Sequence, residues 1–157
     1  MNRKKILNLG VSLYSFCIVC FCFTPQPKLP TGVETPGIQT FGRLVFLLTP
    51  FNSFWKLGEV SGLEQLFWIF LQNALNVLLL FPLVFQLICL FPNLRRTKKV
   101  LLLSFCISLG IECTQLVLDF LFDFNRVFEI DDLWTNTLGG YLAWLLYKGL
   151  YKNKEIE

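Results

Sequence analysis

LFWIFLQNALNVLLLFPLVFQLICL, from Leu66 to Leu90, runs for 25 residues without a charged side chain. A hydrocarbon core of about 30 Å needs roughly 20 residues at ~1.5 Å rise each, so this stretch reads as a membrane-spanning helix. Backbone groups in lipid have no water to bond, which makes a helix the solution for a single segment. Working outward, Ile6–Phe23 is a second such block. Val100–Leu118 is a third, with Glu112 its one internal charge, and Leu133–Leu150 is a fourth, with Lys148 close enough to its end to snorkel. Composition agrees. Of the 157 residues 54% are hydrophobic and 16% charged, with mean hydropathy +0.56. A soluble domain carries about 25% charged residues. The expected fold is an all-α integral membrane protein, a four-transmembrane-helix bundle forming one domain over 1–157. Its spans are about 6–23, 66–90, 100–118 and 133–150, and its external loop is 24–65.

Charge gives the orientation, because Lys and Arg concentrate at the cytoplasmic ends of spans. Arg3, Lys4, Lys5, Arg95, Arg96, Lys98, Lys99, Lys148, Lys152 and Lys154 all fall on one side of a four-span topology. The other side holds Lys28, Arg43, Lys56 and Arg126 against Glu34, Glu59, Glu64, Asp119, Asp123, Glu129, Asp131 and Asp132. Both termini are therefore expected in the cytoplasm, with an acidic external face. The net charge of +3 reflects topology and contact with anionic lipid rather than a nucleic-acid partner. The basic start and apolar stretch at Ile6–Phe23 also fit a signal peptide. Its length, and the lack of a small-x-small site near Cys20–Thr24, favour an uncleaved first helix.

The external loop opens with Pro25, Pro27, Pro30, Gly32, Pro36 and Gly37, which predicts irregular, extended chain. Arg43–Trp55 is apolar, too short to span and interrupted by Pro50. It reads as an interfacial segment with Phe51, Phe54 and Trp55 at headgroup level. Cys17, Cys20, Cys22, Cys89, Cys106 and Cys113 all fall in spans, and the chain has no histidine. They read as buried apolar fillers, with no disulfide framework, metal site or cofactor implied.

Polar groups inside a membrane are costly and each needs a reason. Glu112, Gln115 and Asp119 share one helical face, and Asn136, Gly139, Gly140 and Ala143 form a stripe on the last helix. Asn73 and Asn76 lie on the second helix. Counting from the helix ends puts Glu112 about 9 Å, Asn136 about 5 Å and Asn73 about 10 Å below the external end. With Arg126 and Glu129 in the loop above, they are placed to converge on a polar pocket open to the outside. Each also has a plainer role. Asn136 and the glycines serve helix packing, where small residues permit close approach. Asn73 and Asn76 serve as interhelical glue. Arg126 serves as partner of Glu129 or Asp132 in an external salt bridge. Glu112 is the residue for which a structural role is least adequate, since Gln would fill it.

In order, these residues resemble the VanZ-like family of bacterial membrane proteins. Asn76-Val-Leu-Leu-Leu-Phe-Pro82 looks like the family's Asn, apolar run and Pro. Glu112-Cys-Thr-Gln115 matches its Glu-x-x-Gln. Arg126-Val-Phe-Glu129-Ile-Asp131-Asp132-Leu-Trp-Thr-Asn136-Thr-Leu-Gly139-Gly140 matches its Arg-x-x-Asp-x-x-Asp-x-x-x-Asn-x-x-Gly, and Thr49-Pro50-Phe51 resembles its Pro-Phe element. The resemblance covers roughly Phe41–Leu150. Glu129 stands where Asp is usual, and Val84 replaces a glycine that commonly follows Pro82-Leu83.

The family is named for a protein associated with low-level teicoplanin resistance. The resemblance implies a Gram-positive host, the cytoplasmic membrane and a role at the cell envelope. The expected function is to engage a lipid-linked wall precursor or lipoglycopeptide headgroup at a pocket of Glu112, Gln115, Arg126, Glu129, Asp132, Asn136, Asn76 and Asn73. Gly139, Gly140 and Pro82 would set helix packing. The alternative is an intramembrane enzyme using Glu112, Glu129 and Asp132 on a lipid-linked wall intermediate. Against it stands the absence of a histidine or of a nucleophile–base pair. A third reading, a small transporter or assembly partner, would need an oligomer, and the chain shows no inverted repeat.

Overall fold

A computed structural model describes residues 2–27, 37–52 and 63–151. Four long helices stand where the four apolar blocks were read: α1 Arg3–Cys22, α2 Leu63–Leu90, α3 Thr97–Phe122 and α4 Ile130–Tyr151. Each begins about three residues before its apolar block, because the first turn accepts the polar residues that flank the membrane. A short 3-10 turn, Pro92–Leu94, links α2 to α3. Three of the helices are long and apolar enough to cross a membrane, within Arg3–Cys22, Phe70–Leu90 and Thr97–Phe122. The fourth has the length, about 33 Å at 22 residues, but Asp131, Asp132, Thr135 and Asn136 make its first turns polar. It packs along both α2 and α3, while α1 lies against α2.

The outer surface of these helices is apolar. Phe16, Phe21, Phe70, Leu75, Leu102 and Phe120 are all exposed, whereas Ser104, Ser108, Glu112, Gln115, Asp119 and Asn136 are buried. That inversion suits a molecule whose surroundings are hydrocarbon. The cysteines correct the reading of them as buried. Cys22 is buried and Cys89 partly so, but Cys17, Cys20, Cys106 and Cys113 sit on the outer surface. A thiol is apolar enough to face lipid, so nothing drives it inward.

The all-α expectation also needs a correction. External-loop residues, including part of the segment read as interfacial, form strands β1 Ile38–Phe41 and β2 Leu44–Leu47, joined through Gly42 and Arg43. Gly42 takes φ 64°, which a two-residue hairpin needs and glycine supplies without strain. β2 then pairs in parallel with β3 Val127–Glu129, giving a three-stranded sheet in the order β1-β2-β3. The segment expected to lie flat at the interface is thus tied to the α3–α4 connection, with Phe46 and Phe128 rings 6.1 Å apart. Of the other loop expectations, Pro30, Gly32, Glu34, Pro36, Phe54, Trp55, Lys56 and Glu59 lie outside the described residues, as do Lys28, Lys152 and Lys154.

Two local features set how closely the helices approach. A Cβ at Gly139 would run into the carbonyl of Val77, and one at Gly140 into the Ser104 side chain. α4 therefore sits between α2 and α3 at a spacing only glycine allows. Val84 is fully buried, and a Cβ at Gly140 would stand 3.6 Å from its Cγ2. Pro82 lies inside α2 and has no N–H for the Leu78 carbonyl. The Tyr14 hydroxyl of α1 fills that place, lying 3.4 Å from the Leu78 oxygen and 3.1 Å from that of Leu79.

Candidate functional site

Carboxyl groups gather where α1 ends, α4 begins and the sheet packs. Glu112 and Asp119 come from α3, Glu129 ends β3, and Asp131 and Asp132 open α4. Two helical turns separate Glu112 from Asp119, so both face inward with Gln115 between them. Glu112, Asp119 and Asn136 are each 1% exposed and Asp131 is 4% exposed. A carboxylate so enclosed requires hydrogen-bond donors.

Each finds one on a different element. Glu112 Oε2 accepts the Glu129 N–H at 3.2 Å, joining α3 to β3. Asp119 Oδ1 accepts the Arg126 N–H at 3.2 Å, closing a turn in which Asp123 and Asn125 both take left-handed conformations. Asp131 Oδ1 accepts the Phe51 N–H at 2.7 Å and Trp134 Nε1–H at 3.0 Å. Phe51 holds φ 56°, an unusual value for a bulky residue, with its ring 5.3 Å from that of Trp134. Asn76 of α2 donates to Asp132 Oδ1, and Gln72 Nε2 lies 3.4 Å from both Glu129 oxygens. Asn136 donates to Ser108 Oγ at 2.9 Å, which in turn donates to the Asp132 carbonyl at 3.1 Å. Asn73 lies one turn before Asn76, half-buried.

Arg126 and Gln115 hold the end of α1. Arg126 Nη2 donates to the Phe21 carbonyl at 2.9 Å and the Thr24 carbonyl at 2.7 Å, and its Nε reaches Thr24 at 3.1 Å. Gln115 Nε2 donates to the Cys22 carbonyl at 3.0 Å. The last carbonyls of a helix lack intrahelical partners and carry partial negative charge, so a guanidinium suits them. Burial lowers the Arg126 pKa from its usual value, with Cys22 and Glu112 acting in the opposite sense. An arginine stays charged under such pressure.

The sequence-predicted residues therefore meet at one end of the bundle. Glu112 touches Glu129, Asp132 touches Asn76, and Asn136 reaches Asp132 through Ser108. Gln115 and Arg126 are directed toward α1. Sequence reasoning missed Gln72 and Ser108. Each lies four residues before a site residue, Asn76 and Glu112, and that spacing places it on the same face. Two acceptor atoms, Asn136 Oδ1 and Asp119 Oδ2, are buried with no hydrogen-bond partner among the described residues. Among the described residues no group of three or more His, Cys, Asp or Glu side chains is arranged to hold a metal ion.

A family model described as VanZ/LLP1 matches residues 11–152, from within α1 past the end of α4. No curated protein and no solved structure matches the chain. The matched stretch includes the later part of α1, the other three helices, the sheet and every residue of the site, and the motifs on α2, α3 and α4 lie within it. The chain is a membrane protein that belongs to the VanZ/LLP1 family.

Proposed function

We propose that this protein acts at the cell envelope of a Gram-positive bacterium by engaging a polar headgroup at its carboxylate-rich end. In this reading all four helices span the cytoplasmic membrane, both termini are cytoplasmic and the carboxylates face outward. Support for the orientation comes from the distribution of charge. Arg3, Lys4, Lys5, Arg95, Arg96, Lys98, Lys99 and Lys148 lie at the opposite end from Glu112, Glu129 and Asp132.

The observation that carries the proposal is the pair of buried acceptors without partners among the described residues, Asn136 Oδ1 and Asp119 Oδ2, inside a set of carboxyl groups fixed by neutral donors. Buried polar atoms in native proteins are nearly always paired, so these acceptors ask for donors that the described residues do not supply, as a bound headgroup would. The matching ligand is rich in hydroxyl or ammonium donors, as the headgroup of a lipid-linked wall precursor or of a lipoglycopeptide such as teicoplanin is. Glu112 and Asp132 would accept its donors, and Arg126, whose Nε and Nη2 hold α1, would meet an anionic portion through Nη1.

The test is teicoplanin susceptibility in a Gram-positive host expressing the wild type, Glu112→Gln or Asp132→Asn at matched membrane levels. The expected result is protection by the wild type that both substitutions remove. Equal susceptibility in all strains would overturn the teicoplanin reading, and protection that survives both substitutions would overturn the role of the carboxylates.

A further inference from the structure

A polar path leads from the outer surface of α2 to the carboxyl groups. Gln72 is exposed between exposed Phe70 and Leu75, near the outer edge of the apolar stretch Phe70–Leu90. Its Nε2 lies 3.4 Å from both Glu129 oxygens. One turn further along α2, about 6 Å deeper, half-buried Asn76 donates to Asp132 Oδ1. One turn along α4 from Asp132, Asn136 is 1% exposed, with its Oδ1 unpartnered among the described residues. Asn136 also reaches Ser108, which lies one turn before Glu112 on α3. Asp132 stands close enough to Glu112 for the two charges to act on each other, and Glu112 stands as close to Arg126. Among the described residues, the hydrogen bonds to the carboxyl groups of Asp132 and Glu112 come from neutral donors, an amide and a backbone N–H. They reach Asp132 Oδ1 and Glu112 Oε2.

We propose that this site binds the primary ammonium of a zwitterionic lipid headgroup, entering sideways from the outer leaflet past Gln72. The inference rests on the headgroup reading above and selects one ligand chemistry for it. A primary ammonium carries three N–H donors and a positive charge on one centre. Asp132 Oδ2, Glu112 Oε1 and Asn136 Oδ1 are the acceptors for those donors, and the two carboxyl groups supply the opposite charge. Hydrogen bonds between ionised partners are stronger than those a neutral hydroxyl makes, so an ammonium is favoured over a sugar hydroxyl. A zwitterionic headgroup carries a phosphate near its ammonium, and Arg126, beside Glu112, meets it through Nη1. The sideways route follows from Gln72. An exposed amide among lipid-facing side chains is costly unless it meets headgroups, and a soluble amine arriving from the aqueous end would have no use for it.

The test uses the full chain purified in detergent, with native mass spectrometry of bound dioleoylphosphatidylethanolamine, dioleoylphosphatidylcholine and dioleoylphosphatidylglycerol. Phosphatidylethanolamine should be retained about tenfold or more over phosphatidylcholine, which carries the same charges but no N–H on its nitrogen. Asp132→Asn and Glu112→Gln should each bring its retention down toward that of phosphatidylcholine. Asp123→Asn, the same change of charge in the exposed turn after α3, should stay within about twofold of the wild type. The comparison of lipids on the wild type needs no variant, which keeps the test open if a substitution at the site fails to fold. Equal retention of phosphatidylethanolamine and phosphatidylcholine, or full retention in both site variants, would overturn the proposal. Phosphatidylglycerol retained best, and lost in the same two variants, would overturn the ammonium while leaving the headgroup reading in place. Retention of all three lipids with no dependence on Asp132 or Glu112 would count against that reading as well. Displacement of the lipid by an equal concentration of sn-glycero-3-phosphoethanolamine would support the ammonium chemistry but overturn its assignment to a lipid.

Discussion

The contact between α2 and α4 has two halves that are built differently. Toward the carboxylate end it is polar: Asn76 holds Asp132, while Ser108 of neighbouring α3 joins Asn136 to the Asp132 backbone. Toward the basic end it is apolar, with Leu80, Val84, Ile88 and Ala143 fully buried and Tyr147 nearly so. In water the apolar half would dominate stability. In lipid it cannot, since the surrounding chains are as apolar as leucine and only close packing favours helix over lipid. The polar half has no such competitor, because hydrocarbon offers its groups no partner. Shape should therefore hold one half and directed hydrogen bonds the other.

The sharpest way to break this comparison is at Gly139, between the halves. A Cβ there meets a backbone carbonyl, which cannot rotate away. Gly139→Ala should cost about 3 kcal/mol, at the upper end of overpacking effects, read as thermal unfolding of the purified protein. Gly110→Ala on α3, where a Cβ meets nothing within 4 Å, should be neutral or stabilising by about 0.5–1 kcal/mol. Equal losses at both would mean that close approach does not organise the bundle.

Next comes Arg126→Ala, which removes the guanidinium from the Phe21 and Thr24 carbonyls. Hydrogen bonds to charged groups contribute about 1.5–3 kcal/mol, and partial exposure puts the expectation near 2 kcal/mol. α1 should become the first helix cut by limited proteolysis. If Arg126→Ala leaves α1 as resistant as the wild type, the clamp is not what fixes it.

The two halves can be compared directly with Glu112→Leu and Leu80→Ala. Glu112→Leu leaves the Glu129 N–H without its acceptor and should cost about 1–3 kcal/mol, with Glu112→Gln recovering most of it. Leu80→Ala would cost about 2–5 kcal/mol in a soluble core. Here the transfer part largely vanishes and the remaining cavity part should be about 1–2 kcal/mol. A Leu80→Ala loss at the soluble value would show that the apolar half is stabilised as a water-soluble core is.

The halves also differ in how far they could be read from sequence. The apolar blocks announced the helices, because span length is a property of consecutive residues. The spacing of Glu112, Gln115 and Asp119 gave their shared face, and the structure buries all three. The hairpin escaped, although Gly42 between Ile38–Phe41 and Leu44–Leu47 is a turn residue between two strand-forming runs. Its apolar character suited an interfacial segment equally well. The parallel pairing of Val45 with Val127 joins residues far apart in the chain, and no local pattern encodes it. The guanidinium of Arg126 donates to backbone carbonyls, which every residue carries, so the sequence offered Glu129 or Asp132 as a partner, or a role in the pocket, instead.

The smallest expected effect tests the junction of α1 with α2. Tyr14 lies against the Leu78 carbonyl, which Pro82 leaves without a helical partner, and the Leu79 carbonyl, so part of its role depends on residue 82 having no N–H. Tyr14→Phe should then cost about 0.6 kcal/mol, the average for an interhelical hydrogen bond within a membrane. In a Pro82→Ala background residue 82 regains its N–H, the Leu78 carbonyl recovers its helical partner, and the same substitution should cost less, with the Leu79 contact remaining. The coupling in that double-mutant cycle isolates the contact from the separate cost of altering either residue. Additive effects would mean that the carbonyl freed by Pro82 contributes nothing to the docking of α1, leaving the Leu79 contact and packing to hold this junction.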